Sequence, residues 1–224
     1  MQWPRLLTCL LLCIAAQASQ AADIGQSFPT VEAFVKTFTK GSTRVAEGYG
    51  DLAGAGRRDW AGVVLFDDHD EHSRQIAVLT QNADGSYQVA AQSGVESTFG
   101  GTGHHELESV ELQNGSIFTE WSWSWHGCGG GSIQQIKFYK GQWRVIGAEF
   151  RQANSVETSD GYDVGDSATL SHNLITGTAI IHFTPKKGKP RVITHKLAPE
   201  VILLDDKFEE NAGDIEEFSK YAGC

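Results

Sequence analysis

The stretch that decides the fold is NGSIFTEWSWSW, residues 114–125. Asn-Gly is the dipeptide most typical of a two-residue β-hairpin turn, because both of its residues tolerate a positive φ. From Glu120 to Trp125 polar and apolar side chains alternate, and the face of the indoles continues back through Thr119 and Ile117, which is the period of a strand with one face buried. The stretch therefore predicts a strand that leaves a tight hairpin, with Trp121, Trp123 and Trp125 on one face.

Further short apolar runs lie on both sides of this hairpin, separated by turn residues such as Asp84-Gly85. Neighbouring strands joined by such short connections must pair antiparallel, since a parallel crossover needs a dozen or more residues. We therefore expect a mainly β (α+β) fold, an antiparallel β-meander that forms a curved sheet or a sandwich. The nine predicted strands are residues 59–66, 75–81, 87–91, 107–112, 117–125, 133–139, 143–150, 178–184 and 191–196, with loops at 126–132 and 152–173.

One amphipathic helix precedes the strands. Val31, Phe34, Val35 and Phe38 recur at the spacing of one helix face, and Gly41 is a stop signal. A second, short helix is predicted at residues 215–221. The three indoles either form the buried face of the sheet against the first helix, or remain exposed as a platform for a sugar or a protein, with Trp125 the most exposed.

The N-terminus reads as a secretory signal, residues 1–22, ahead of one β-rich domain, residues 23–224. Arg5 supplies the positive charge, Leu6–Ala16 is a short apolar run, and small residues follow at the spacing of a cleavage site. The run is shorter than the roughly 20 residues that span a bilayer. We expect a periplasmic or secreted protein with no membrane insertion after signal removal.

The net charge limits the classes of binding partner, and the cysteine content limits the possible thiol chemistry. The net charge of −10 argues against nucleic-acid binding and against docking on anionic membranes, and it suits a basic protein partner. Removal of the signal leaves only Cys128 and Cys224. In an oxidising compartment these two cysteines either form one disulfide or remain free thiols.

The segment Gly50–Ala61 precedes a predicted strand and resembles the calcium loop of FG-GAP and VCBS-type secreted β-repeats. Asp51, Gly54, Gly56 and Asp59 match that pattern, whereas alanines occupy the positions of two other oxygen ligands. The resemblance covers only this short segment and implies the shape of the loop. We expect no cofactor, and calcium is the alternative. The alternative is a tight glycine turn in which Asp59 caps main-chain amides.

Several polar clusters are candidate sites. His69 and His72 lie in the acidic run 67–72, while His104 lies in a glycine-rich loop and could form a site with His126, which follows Trp125. Imidazole and carboxylate side chains suit a metal or a polar partner. Asp160, Asp163 and Asp166 recur at three-residue spacing, which suits a calcium loop. Each cluster is equally consistent with a solvated acidic loop.

Cys128 lies in a glycine-rich segment that resembles the nucleophile loop of chymotrypsin-like cysteine proteases. Such a loop supplies main-chain amides to an oxyanion, but a disulfide would remove its thiolate. We predict an exported non-enzymatic binding protein, for example an inhibitor or immunity protein for a toxin or cell-wall hydrolase. The alternatives are a calcium- or glycan-binding surface module, and a hydrolase that uses Cys128 or a histidine cluster.

Overall fold

The computed structural model describes residues 22–38, 45–68, 71–94, 96–98, 104–125, 127–158, 161–204 and 218–221. The predicted fold class is confirmed, because these residues form two antiparallel sheets and a single short helix. Within these ranges, no helix has the length and apolarity needed to cross a membrane. Most of the predicted signal and Cys224 lie outside the described residues, so the signal and the disulfide stay predictions.

The N-terminal sheet contains six strands in the order β1-β5-β4-β3-β2, with β6 beside β4. The predicted helix is confirmed as α1, which follows the first strand. The bounds are β1 (Ser27–Phe28), α1 (Val31–Phe38), β2 (Val45–Gly50), β3 (Asp59–Asp68), β4 (Glu71–Gln81), β5 (Tyr87–Gln92) and β6 (Glu96–Thr98).

The C-terminal sheet is a meander in which β7 to β13 lie side by side in chain order, with β14 beside β10. Its bounds are β7 (His104–Gln113), β8 (Ser116–Trp125), β9 (Cys128–Tyr139), β10 (Gln142–Thr158), β11 (Gly161–Asn173), β12 (Thr178–Thr184), β13 (Arg191–Lys196) and β14 (Ile202–Leu203). A 3-10 turn at Phe218–Lys220 follows near the C-terminus.

The N-terminal sheet is covered on both faces. On one face, Phe34 of α1 packs edge-on against Trp60 and Phe28, with ring centroids 5.6 and 5.3 Å apart. On the other face, residues such as Val63 share a core with Ile117 and other side chains of the C-terminal sheet. This double coverage explains why β3 and β4 carry long apolar runs rather than alternating ones.

The two sheets approach most closely where β2 lies against β7. A methyl group added at Gly50 would lie 2.6 Å from the Cβ atom of Leu112, so this position has no room for a side chain. Trp121 accordingly packs among residues of the N-terminal sheet, in a core cluster that does not include α1. The expectation that the Trp-bearing face packs against the helix is therefore wrong, because the N-terminal sheet lies between them.

Two predicted loops are in fact strands. Residues 128–132 are the start of β9, and residues 152–173 belong largely to the long hairpin of β10 and β11. The glycines of β9 were read as loop residues, but Gly130 is needed in the sheet, since a Cβ atom there would lie 2.8 Å from the indole of Trp123. Strand β2 was not predicted, because its only bulky side chains are Val45 and Tyr49.

Candidate functional site

The C-terminal sheet has one face in the core and one open face. Because side chains alternate along each strand, the residues next to the core positions point to the open face. A groove of about 710 Å³ runs across this open face from β8 to β12. It is lined by Phe118, Ile133, Gln135, Ile146, Gly147, Ala148, Glu149, Ser171, His172, Asn173, Thr176, Thr178 and Ile180.

The middle of the groove lies at an irregularity of β10. The register of β9 and β10 shifts between Val145 and Gly147, which leaves Ile146 as an extra residue. Such a bulge bends a strand and increases its twist. A methyl group at Gly147 would lie 3.5 Å from the carbonyl oxygen of His172, an ordinary contact distance. The absence of a side chain at Gly147 therefore makes the groove deeper at this point, although the fold has room for a side chain there.

The floor of the groove is apolar. Its larger apolar side chains are half-buried and come from four strands, β8, β9, β10 and β12: Phe118, Ile133, Ile146 and Ile180. The sequence carries a signal for this surface that we did not use. Two consecutive apolar residues in a strand place one side chain on each face, as in Ile117-Phe118, Val145-Ile146 and Ile180-Ile181.

Glu149 lines the groove and belongs to an ion-pair cluster that continues beyond it. The Nε atom of Arg151 lies 2.7 Å from the Oε1 atom of Glu149, and its Nη1 atom lies 3.6 Å from the Oε1 atom of Glu120. Beyond this cluster lies a second hollow of about 360 Å³, bordered by Ser122 and Gly131 among others. The open face thus combines an apolar floor with hydrogen-bonding and acidic groups at its border.

The Trp-rich end of β8 lies against small residues of β9. Trp121, Trp123 and Trp125 stand opposite Ser132, Gly130 and Cys128, respectively. Trp121 is 4% exposed and belongs to the core, while Trp123 is half-buried. Only the main chain of Trp125 is described. At least one of the three indoles is therefore a core side chain rather than part of an exposed platform.

The predicted histidine candidates are divided between the two sheets. His104 pairs with Ser124 at the same end of the C-terminal sheet as Trp125, whereas His72 pairs with Asp67 and Thr98 in the N-terminal sheet. Only the main chains of His72 and His104 are described, while His69 and His126 lie outside the described residues.

The loop that resembles a calcium site is held by its own carboxylates. Asp59 is 1% exposed, and its two oxygens accept the N–H groups of Leu52 and Gln81, each at 2.9 Å. Asp51 accepts the N–H groups of Ala55 at 3.0 Å and Gly56 at 2.6 Å.

The hydrogen bond from the Gly56 amide is the main reason that the pKa of Asp51 is lowered. Each of the four carboxylate oxygens in this loop accepts a main-chain N–H, and a cation would have to compete with those donors.

The second acidic cluster lies on β11 and contacts the loop between β12 and β13. Asp163 lies 3.4 Å from the Nζ atom of Lys186, and Asp166 accepts the N–H of Lys186 at 2.7 Å. Asp160 lies outside the described residues. In the part of the chain that the structure describes, no three His, Cys, Asp or Glu side chains are close enough to hold a metal ion together.

No family model, curated protein or solved structure matches this chain. Its function is therefore inferred from the groove on the open face.

Proposed function

We propose that this is an exported, non-enzymatic binding protein that seats a segment of a protein partner in the groove of the C-terminal sheet. The observation that carries the proposal is the apolar floor of Phe118, Ile133, Ile146 and Ile180, bordered by side chains that can form hydrogen bonds. Concave sites with mostly apolar lining and a few polar groups are the usual place for ligands, and apolar surface patches are typical of interfaces.

The charge of the protein favours a basic partner. Glu149 lines the groove and Glu120 lines the neighbouring hollow, on either side of Arg151, and the chain as a whole carries −10. Complementary charge speeds association and disfavours acidic competitors. An inhibitor or immunity protein for a basic toxin or cell-wall hydrolase is the form of partner that suits an exported acidic protein best.

A photo-crosslinking experiment followed by an affinity measurement tests this proposal. In one variant a photoreactive amino acid replaces Ile180 in the groove. In the other it replaces Ser124, a solvent-exposed residue at the other end of the open face. Each variant is incubated with periplasmic extract of the producing organism and irradiated. We expect one protein to be captured from position 180 only. Its affinity, measured with purified protein, should fall at least about tenfold in Gly147→Val, because the added side chain fills the floor.

Gly129→Val is the matched control, because Gly129 is also a strand glycine but lies outside both hollows of the open face. It should leave the affinity unchanged. Capture of the same proteins from both positions, or equal affinities of the captured partner for wild type and Gly147→Val, would contradict the proposal.

A glycan is the second candidate ligand. The aromatic ring of Phe118 lies in the same groove as the amides of Gln135 and Asn173, and rings flanked by amides suit the faces and hydroxyls of sugars. Titration calorimetry with cell-wall glycan fragments tests this alternative. We expect Phe118→Ala and Asn173→Ala each to weaken glycan binding if this candidate is correct, while heat changes that are the same in the Gly147→Val variant would exclude the groove.

The calcium version of the surface module has less support, since Asp51 and Asp59 already bind main-chain amides. A ligand that binds the folded state raises the melting temperature. An increase in the presence of millimolar calcium, absent from Asp51→Asn, would revive this version.

We also propose the Cys128–Cys224 disulfide. A hydrolase that uses the Cys128 thiol would require this disulfide to be absent. The ring of Phe218 packs 6.4 Å from that of Phe150, and its carbonyl accepts the Nε2 hydrogen of Gln152 at 2.8 Å. Gln152 pairs with Gly130, two residues from Cys128. Cys224 follows Tyr221 by three positions, and three Cα–Cα steps of extended chain can span about 10 Å.

Mass mapping of the unreduced protein tests the bridge. We expect one peptide pair that joins the two cysteines, and a Cys224→Ser variant that is less stable by roughly 4–5 kcal/mol in the chain-entropy model, because the bridge closes a long loop. Complete alkylation of both thiols in the unreduced protein would contradict the bridge and would leave Cys128 available as a nucleophile.

A further inference from the structure

Positive charge is concentrated in one part of this acidic protein. Residues 167–199 contain five lysines and arginines and no aspartate or glutamate, in a chain whose net charge is −10. These five cations all belong to the segment PKKGKPRVITHK, residues 185–196. The segment consists of the turn after β12 and the whole of β13.

This segment lies at the edge of the C-terminal sheet. β13 is the last strand in the sheet order, so one side of its main chain has no neighbouring strand among the described residues. Residues 186–192 are all exposed, including the apolar side chain of Val192, which is 62% exposed. Unpaired strand edges are the surfaces to which another extended chain can add by main-chain hydrogen bonds.

Three of the five cations have partners within the sheet. Lys186 contacts Asp163, the guanidinium of Arg191 lies 5.0 Å from the centre of the Phe183 ring, and Lys196 donates to Thr178 at 2.6 Å. Lys187 and Lys189 are exposed, and the described part of the chain places no carboxylate at ion-pair distance from them. The cations at the start of β13 are therefore available to an anionic partner.

We propose that β13 is a docking edge for an extended acidic segment of another protein, which adds to the C-terminal sheet as a further strand. Its carboxylates would meet Lys187, Lys189 and Arg191. From Arg191 to Lys196 the edge spans about 17 Å, enough for five or six residues of an added strand.

The edge favours a peptide over a phospholipid or a polysaccharide, because only a peptide can pair with the main chain of β13 along its length. The same lysines oppose pairing with a basic strand and so contribute to selectivity. This edge is separate from the proposed binding groove. It binds an acidic partner, whereas the groove is proposed to bind a basic one.

A synthetic probe tests the docking edge directly. The probe is an eight-residue, end-capped fluorescent peptide of alternating glutamate and valine, titrated with the full chain and followed by fluorescence anisotropy. We expect saturable binding that weakens at high salt and falls about tenfold in the Lys187→Glu/Lys189→Glu variant. Lys36→Glu/Lys140→Glu makes the same change of charge at exposed positions elsewhere and should leave the affinity unchanged.

Two further probes separate strand addition from simple charge attraction. The same peptide with alternate amides N-methylated keeps its carboxylates but cannot pair as a strand, and we expect it to bind at least about tenfold more weakly. A heparin fragment carries negative charge without a peptide main chain. Equal binding of the N-methylated peptide, tighter binding of heparin, or no saturable binding of the acidic peptide would each overturn the proposal.

Discussion

The two sheets of this protein use the same antiparallel pairing but differ in what covers them. Both faces of the N-terminal sheet are buried, by α1 on one side and by the C-terminal sheet on the other. The C-terminal sheet buries one face, while its other face carries a groove and its last strand is an exposed edge. The side chains of the N-terminal sheet therefore mainly stabilise the core, whereas the C-terminal sheet has an exposed face and an exposed edge that can bind other molecules.

Individual turns of the two sheets also differ in what stabilises them. In the N-terminal sheet, the carboxylates of Asp51, Asp59 and Asp84 accept main-chain N–H groups of the connections. In the C-terminal sheet, Asn114 and Lys140 adopt a positive φ at tight hairpin turns. The first kind of turn depends on ionised groups, whereas the second depends on backbone conformation.

A phenylalanine-to-alanine substitution should mainly reduce stability where it lies against the N-terminal sheet, and mainly reduce binding where it lies in the C-terminal sheet. Phe34→Ala removes a fully buried ring from the core between α1 and the N-terminal sheet. We expect it to lower the free energy of unfolding by about 3–5 kcal/mol, the usual cost of such a cavity. Phe118→Ala removes a half-buried ring from the groove and should cost only about 1 kcal/mol.

Denaturant unfolding of both variants measures this contrast, and the affinity for the captured partner supplies the second readout. Phe34→Ala should bind normally while it remains folded, whereas Phe118→Ala should bind more weakly. Equal losses of stability in the two variants would remove the distinction between a packing sheet and a binding sheet.

The next largest effect is expected at Asp59, which joins the loop before β3 to the end of β4. Its carboxylate is buried and accepts the N–H groups of Leu52 and Gln81. Asp59→Ala leaves both amides without that acceptor, and we expect a loss of about 3 kcal/mol in unfolding free energy. Asp84→Ala, at an exposed turn of the same sheet, is the control and should cost far less than Asp59→Ala.

Two strand glycines allow a smaller test within the C-terminal sheet. A Cβ atom at Gly130 would lie 2.8 Å from the Trp123 ring, whereas one at Gly147 would meet only ordinary contacts. We expect Gly130→Ala to cost about 1–3 kcal/mol, as overpacking does, and Gly147→Ala to change stability by less than about 0.5 kcal/mol. The added Cβ atom would also meet the main-chain carbonyl oxygen of Arg151. Thermal melts compare the two variants, and similar melting temperatures would show that the Arg151 main chain and the Trp123 indole both move aside without cost.

Alternation and turn residues were sufficient to predict most of the strands, because those signals are local. The bounds of the strands at Thr178–Thr184 and Arg191–Lys196 were predicted as the structure has them. The start of β9 was missed because the need for Gly130 depends on Trp123 and Arg151, which come from neighbouring strands. A glycine required by tertiary contacts has the same sequence signature as a glycine in a loop.

The groove was not predicted, for a related reason. Each candidate chosen from sequence was a local cluster of reactive side chains, whereas the groove gathers single residues such as Phe118, Gly147 and Ile180 from different strands. Doubled apolar residues in strands could have indicated an apolar open face. Their convergence into one groove depends on the register and on the bulge at Ile146, and sequence spacing does not encode either directly.

The smallest effect we predict is one of pH at Asp51. Hydrogen bonds from main-chain amides lower the pKa of this carboxyl below that of the unfolded chain. A lowered pKa means that the carboxylate contributes stability above the unfolded value near 4, and that this contribution is lost as pH falls through the folded pKa. Asp51→Asn should therefore lower the melting temperature at pH 7 and have progressively less effect below about pH 4.

The turn at Asn114 contains no such carboxylate and provides the comparison within the same molecule. Asn114→Ala, which strains a residue with φ 53°, should lower the melting temperature by the same amount at pH 7 and at pH 3. If the effect of Asp51→Asn were equally independent of pH, the loop would be held by its glycine conformations rather than by the charge on Asp51. The turns at Asp51 and Asn114 would then be stabilised in the same way.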